Sequence, residues 1–306
     1  MKGLELSHAY YLEYGKPMIE RDFAEYAERI AVGLVGHGSE CFGFDDEISA
    51  DHDFDAGFCI WLTDDDEREF GFKLFRAYSK LPKEYKGYKI IQKSLFGSEH
   101  KGVHTISEFY RRYTGTIGAP QTAEQWLQIP DFYLAEATNG EVFCDPLGSF
   151  TAIRNQILNG MPQDVWFKKI AAKALTLAQT GQYNFNRCLS HGEAGAAALA
   201  LSQFAQAAVE TIFLLNRRYA PYYKWLFRAG RELPILGNRV EQIEKLITDS
   251  TLIQNQRLDI IEGVCADIIA ELKLQGLTNI DSDYLEPHAY AVNDKIKDSS
   301  IRNLPL

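Results

Sequence analysis

Cysteine is scarce in this chain: five in 306 residues, at positions 41, 59, 144, 188 and 265, odd in number and forming no CxxC pair. That pattern suits free thiols in a reducing compartment better than a disulfide framework or a structural zinc site. Positive charge is also in deficit, with 32 Lys and Arg against 42 Asp and Glu and a net charge of -10. Broad binding to nucleic acid or an anionic membrane is therefore not expected, although a local basic patch can still hold a phosphate or a tRNA end. Ser39 sits in no GxSxG elbow, and no GxxxxGK[ST] loop occurs. Residues 1–15 lack the apolar core of a signal peptide, and no run of about eighteen apolar residues is evident. The expectation is a soluble, cytoplasmic protein with no membrane partner.

What is present is ordinary globular material, 46% hydrophobic and 24% charged, without repeats. Its length suits one large domain or two smaller ones, and a change of character near residue 150 favours two. Up to residue 149, strand and helix signals alternate; from residue 150 onward, helical periodicity dominates. The fold class expected is α+β: a small mixed sheet with flanking helices over 1–149, then an all-α bundle over 150–306.

The stretch from Gly33 to Leu62 organises the first half. A short apolar run leads into Gly36, Gly38 and Ser39; then Asp51, Asp53 and Asp55 stand at alternate positions before a second apolar run. In extended chain, residues two apart share a face, so the carboxylates converge. Their mutual repulsion asks for water or a cation, and Mg²⁺ is the hard, oxygen-seeking candidate. The bland alternative is a solvated acidic loop on an acidic protein. Asp64, Asp65 and Asp66 follow Thr63 and read as the capped first turn of a helix.

Elsewhere in this half, helical spacing over residues 4–31 is expected to break at Gly15-Lys16-Pro17. Strands are expected at 31–35, 58–62, 88–92 and 141–145, the last after the Asn139-Gly140 turn signal. Residues 96–102 read as a loop, and 107–113 and 123–127 as short helices. In the second half, helices are expected at 164–180, 194–219, 221–232, 239–247 and 253–275. Arg217, Arg218, Lys224, Arg228 and Arg231 form a basic cluster uninterrupted by an acid until Glu232. Lys224, Arg228 and Arg231 share a helix face and suit nucleotide phosphates, or else surface acids. Tyr219, Tyr222, Tyr223 and Trp225 suit core packing, or stacking on a base.

The order helix, strand, Gly38-Ser39, then Asp51 and Asp53 opening the next strand resembles the DNA polymerase β-type nucleotidyltransferase superfamily, whose smaller members include aminoglycoside and lincosamide nucleotidyltransferases. Segments 49–54, 140–145 and 219–225 further resemble an uncharacterised bacterial branch of it. The resemblance implies a Gly38-Ser39 turn on nucleotide phosphates, and a metal pair formed by Asp51/Asp53 or Asp53/Asp55. It also implies a third carboxylate on a later strand, Asp145 or else Glu141. The implied reaction is Mg²⁺-dependent transfer of a nucleoside monophosphate from an NTP, ATP first, to a hydroxyl of an acceptor, a small molecule first, in an interdomain cleft. Arg218, Lys224 and Arg228 would hold phosphates. A catalytically inactive nucleotide-binding relative and a toxin-like enzyme acting on protein or tRNA remain alternatives.

Overall fold

The computed structural model describes residues 1–46, 55–90 and 101–306. The class is α+β. The chain forms two compact units, one of residues 1–121 and 133–160, the other of residues 122–132 and 161–306.

In the first unit, β1 (Ala31–Leu34), β2 (Cys59–Leu62), β5 (Gly102–Thr105) and β6 (Glu141–Cys144) form one sheet in the order β5-β2-β1-β6. The short strands β3 (Glu84–Tyr85) and β4 (Tyr88–Lys89) make a separate hairpin. β1 pairs antiparallel with β2 and with β6, while β2 and β5 run parallel. All four residues of β2 are buried, as a strand covered on both faces requires. Ile60, Leu62, Val32 and Phe58 face one layer, where Leu6, Tyr10, Met18, Phe70 and Leu74 pack. Trp61 points the other way, stacked on Phe150 at a 3.9 Å centroid distance and edge-on to Phe109 at 5.4 Å. The Tyr110 hydroxyl donates to the Phe150 carbonyl at 2.9 Å and fastens the helix Ser149–Asn159 to this layer. That helix, which its sequence position assigned to the bundle, is therefore part of the first unit.

Several other expectations are corrected. Gly15-Lys16-Pro17 does not break the first helix, which runs from Gly3 to Asp22 through a wide π-type turn at Tyr11–Gly15. Pro17 falls in the first turn of the segment that follows, where its missing N–H is tolerated. Gly15 serves packing: a Cβ there would lie 2.4 Å from the Phe58 ring. A strand does form at Tyr88–Lys89, in the separate hairpin, while residues 91 and 92 of that expectation lie outside the described residues; the further strand of the four-stranded sheet is Gly102–Thr105, reached by the crossover that a parallel pair requires. The helix Asp131–Thr138 stands where no element was expected. Thr63 does cap its helix, its Oγ1 accepting from the Asp66 amide at 3.1 Å, and Asp66 is then held by Arg29.

The second unit is built around the helix Ala194–Leu215, against which Gln163–Leu177, Tyr223–Gly230, Val240–Thr248 and Gln254–Leu274 pack. Phe204 fills the gap left by Gly181, where a Cβ would meet its ring at 2.3 Å. Trp166 Nε1 donates to the Leu214 carbonyl at 2.8 Å. Leu285–Asn293, also absent from the expectation, lies along Gln163–Leu177. His288, fully buried, sits within hydrogen-bonding distance of Thr278 Oγ1 (3.0 Å) and the Ser282 carbonyl (2.9 Å). Contrary to the expectation from sequence, Ala194–Leu215 is by length and composition apolar enough to cross a bilayer. Two-thirds (67%) of its apolar window is buried within the unit, as a core helix requires.

Gly33 tests how closely the sheet is fitted. A Cβ on it would come 2.4 Å from the Glu141 carbonyl and 3.0 Å from the Trp61 ring. Gly33→Ala is expected to cost about 1–3 kcal/mol in denaturant unfolding, the usual range for overpacking against backbone. An unchanged midpoint would mean that β6 moves aside freely.

Candidate functional site

One end of the four-stranded sheet collects most of the chemistry. β1 leaves the sheet at Leu34, which pairs with Glu141, the first residue of β6. β2 enters opposite Gly33, and β5 enters beside Cys59 of β2. The Gly36–Ser39 turn, the approach to β2, Lys101 and Glu141 therefore stand together. Cys144 pairs with Val32, so Asp145 lies at the opposite end.

The turn is pinned from two directions. The Asn139 side chain accepts from the Gly36 amide at 2.9 Å and donates to the Gly36 carbonyl at 2.7 Å; the Tyr113 hydroxyl accepts from the His37 amide at 3.3 Å. Gly140, in the left-handed region at φ 59°, donates to the Cys41 carbonyl at 2.9 Å. Gly38, at φ 123°, adopts a backbone conformation that a side chain would strain. Ser39 then opens a short helical turn over Glu40–Phe42. Among the described residues, no acceptor meets the amides of Gly38, Ser39 and Glu40. A turn held this way presents donors to an anion.

Beneath it lies a buried ionic cluster that the sequence did not reveal. Lys101 Nζ stands 3.3 Å from Glu40 Oε1 and 3.1 Å from Asp55 Oδ1, and donates to the Asp55 carbonyl at 3.0 Å. All three side chains are less than a tenth exposed. Burial works against the lysine charge, but Asp55 and Glu40 outweigh it, so the Lys101 pKa is raised. Asp55 Oδ1 also accepts from the Gly57 amide at 2.7 Å. As one of the expected metal ligands, Asp55 is thus engaged by an ammonium and a backbone amide. Asp51 and Asp53, with the His52 between them, lie outside the described residues. Among the described residues, no group of three or more His, Cys, Asp or Glu side chains is placed to hold a metal.

The third-carboxylate expectation is corrected for Asp145. Its Oδ1 accepts from the Gly148 amide at 3.1 Å and its Oδ2 from the Thr151 amide at 2.8 Å, closing the turn into the helix Ser149–Asn159. Both oxygens serve backbone donors, at the end of the sheet away from the glycine-serine turn. Glu141, the second choice, is exposed at the turn end, 3.9 Å from His8 Nδ1. A further carboxylate went unpredicted: Glu136, one helical turn before Asn139. Burial pushes its pKa up to about 7, and it acts electrostatically on Cys41 and Tyr113, which border the turn. A helix was not expected at 131–138, so Glu136 gave no signal.

The basic residues belong to the second unit. Arg217 stacks its guanidinium 3.1 Å from the Trp166 ring centroid and donates to Gln163 Oε1 at 3.2 Å. Arg231 is paired with Glu244. Arg218, Lys224 and Arg228 are exposed; Lys224 and Arg228 lie on the helix Tyr223–Gly230. Tyr222 and Tyr223 are also exposed, their rings 4.4 Å apart, rather than packed in the core.

Residues 126–226, about a third of the chain, match the model of a domain of unknown function (DUF4037). The matched stretch holds Glu136, Glu141, Asp145, Arg218 and Lys224, and begins well after the glycine-serine turn. Neither curated proteins nor solved structures give a match to this chain.

Two measurements probe this end of the sheet. Lys101→Met removes the buried ammonium that faces both Glu40 and Asp55 and is expected to cost about 3–5 kcal/mol in denaturant unfolding; a loss under 1 kcal/mol would mean that the cluster is screened. Glu136 gives a pH signature. Its folded pKa, about 7, exceeds the ordinary value of 4.5. Between those values the folded state holds a proton that the unfolded state has released, so stability falls as pH rises through the window and levels off above it. The Tm of wild type, taken relative to Glu136→Gln, is expected to follow that fall; parallel profiles would put Glu136 in bulk solvent.

Proposed function

We propose that this chain is a nucleotidyltransferase, transferring a nucleoside monophosphate from an NTP, ATP as first candidate, to a hydroxyl of an acceptor, a small molecule as first candidate. The observation that carries the reading is the glycine-serine turn: its backbone is held by Asn139 and Tyr113, and among the described residues no acceptor is bonded to the amides of Gly38, Ser39 and Glu40, although the Glu40 carboxylate stands beside Gly38. The segment carrying Asp51 and Asp53 joins that turn to β2, so it begins and ends at the sheet end where Glu141 also stands. Triphosphate binding to backbone donors is a positioning device, and phosphoryl transfer depends mainly on positioning and charge neutralisation.

Asp51 and Asp53 would hold the metal in this reading, because Asp55 is occupied by Lys101. When bound, Mg²⁺ supplies charge neutralisation at the triphosphate and at the departing pyrophosphate. Glu141 and Glu136 are the carboxylates available to take the acceptor's proton; a group with a pKa of about 7 is matched to that task near neutral pH. Arg218, Lys224 and Arg228, exposed on the second unit, suit an anion by charge alone. A second reading, a nucleotide-binding relative without transfer activity, is favoured by the commitment of Asp145 to backbone amides. A cytoplasmic setting belongs to the same proposal and accords with five cysteines that form no disulfide.

Calorimetric titration of the protein with NTP, with and without Mg²⁺, tests the reading. Binding is expected to require Mg²⁺ and to be lost in Asp51→Asn/Asp53→Asn, while pyrophosphate release with a productive acceptor separates an enzyme from a binder. Equal binding by both proteins, or by neither, would overturn the site.

A further inference from the structure

His8 stands on the helix Gly3–Tyr10, which packs on β1 and on the short helical turn Glu40–Phe42 that follows Ser39. Its ring has a fixed partner. Phe143 lies parallel to it, with centroids 4.3 Å apart and planes 5° apart. Phe143 reaches that position through a bulge: Val32 and Gly33, adjacent on β1, pair with Cys144 and Val142, which leaves Phe143 as the extra residue of β6. A bulge re-aims a side chain, and such features recur beside active sites. Tyr11 holds Phe143 in turn, its ring stacked at 5.8 Å and its hydroxyl 3.1 Å from the Cys144 sulfur.

The stack sets the plane of the imidazole, so its two nitrogens differ. Nδ1 stands 3.9 Å from Glu141 Oε1, within ion-pair reach. That is longer than a hydrogen bond, as catalytic contacts commonly are before substrate tightens them. Nε2 has no partner among the described residues. His8 is half-buried and Glu141 exposed, so solvent and solutes reach both. A carboxylate accepts from a ring N–H, so Glu141 favours the neutral tautomer with its proton on Nδ1 and leaves Nε2 a lone pair. Packing alone does not ask for this, because a phenyl ring would stack on Phe143 with no nitrogen turned to Glu141. Glu141 in turn pairs with Leu34, at the end of β1 from which the glycine-serine turn departs. All of these residues belong to the first unit.

We infer that His8 is the catalytic base of the transfer and that Glu141 is the positioning residue that orients it. The inference rests on the nucleotidyltransferase reading and gives the acceptor's proton to an imidazole in place of a carboxylate. The acceptor's O–H bond breaks and its proton passes to His8 Nε2, while the acceptor oxygen bonds the α-phosphorus. The bond from that phosphorus to the bridging oxygen breaks, and its electron pair leaves with pyrophosphate. The imidazolium so formed faces the Glu141 carboxylate, which stabilises its charge.

Two readouts test it, and the first needs no nucleotide. Nitrogen NMR of the imidazole rings, with His8 identified by its loss in His8→Phe, is expected to show the neutral His8 ring mainly with its proton on Nδ1 in wild type. In Glu141→Ala the proton is expected to shift toward Nε2. A wild-type ring protonated mainly on Nε2, or the same spectrum in both proteins, overturns the inference whatever the protein does with NTP. The second readout is steady-state pyrophosphate release with Mg²⁺, NTP and a productive acceptor. His8→Phe keeps the stack, and an unchanged circular dichroism melt confirms that it folds. Its kcat is expected to fall at least about a hundredfold with the KM for NTP unchanged, the mark of a group that acts only in the transition state. Imidazole added to His8→Ala is expected to restore part of the lost rate. An unchanged kcat in His8→Phe, or no rescue of His8→Ala, overturns the inference and leaves the transfer reading standing. Absence of Mg²⁺-dependent NTP binding by wild type overturns the reading, and the inference with it.

Discussion

The ammonium of Lys101 is the point on which the sheet end depends. It is buried with Glu40 and Asp55, and those three residues come from the turn after β1, the approach to β2 and the entry of β5. Among the described residues, one buried ammonium faces two buried carboxylates. Such a cluster is rarely the cheapest way to stabilise a core, but it is demanding about geometry, because losing any partner strands a charge. The entries of the parallel pair β2 and β5 are thereby fixed against the glycine-serine turn. The Asn139 and Tyr113 contacts then hold the backbone of that turn.

From this anchoring follows a division of labour among the acidic residues, which are plentiful but not equivalent. Asp55 and Glu40 are structural counter-ions, Asp66 answers Arg29, and Asp145 closes a helix entrance. Glu136 and Glu141 differ in that, among the described residues, no Lys or Arg forms an ion pair with either, while His8 stands near Glu141. Burial rather than pairing governs Glu136, and an acid of that kind changes protonation near neutrality.

Much of the fold was legible because periodicity and capping are local signals. Val32 and Ile60 sit in apolar runs, Thr63 precedes three aspartates, Asn139-Gly140 marks the turn into β6, and the stripe of Ala194–Leu215 repeats every three to four residues. What escaped notice was non-local. Gly102–Thr105 is a short strand containing glycine and histidine, and only its parallel pairing with β2 identifies it. Lys101 looks like any surface lysine until Glu40 and Asp55, far away in sequence, close around it. Asp145 lies on the right strand but at the wrong end, which the pairing of Cys144 with Val32 decides. The glycine-serine turn was read directly from sequence, whereas the residues that hold it, Asn139 and Tyr113, were not. The boundary near residue 150 misplaced one helix because Phe150 finds its partner in Trp61, a strand residue nearly ninety positions earlier.

The wide π-type turns recur in this chain, at Tyr11–Gly15, Glu67–Gly71 and Ala178–Phe185, and each contains a glycine. A π-type turn is a helix carrying one residue more than its neighbours need. Each residue of an α-helix advances the azimuth by about 100°, so a surplus residue re-aims everything downstream without ending the helix. One continuous rod can then serve two partners that no single stripe would reach. Removing one such residue would restore regular winding and rotate a whole flank of packed side chains off its target.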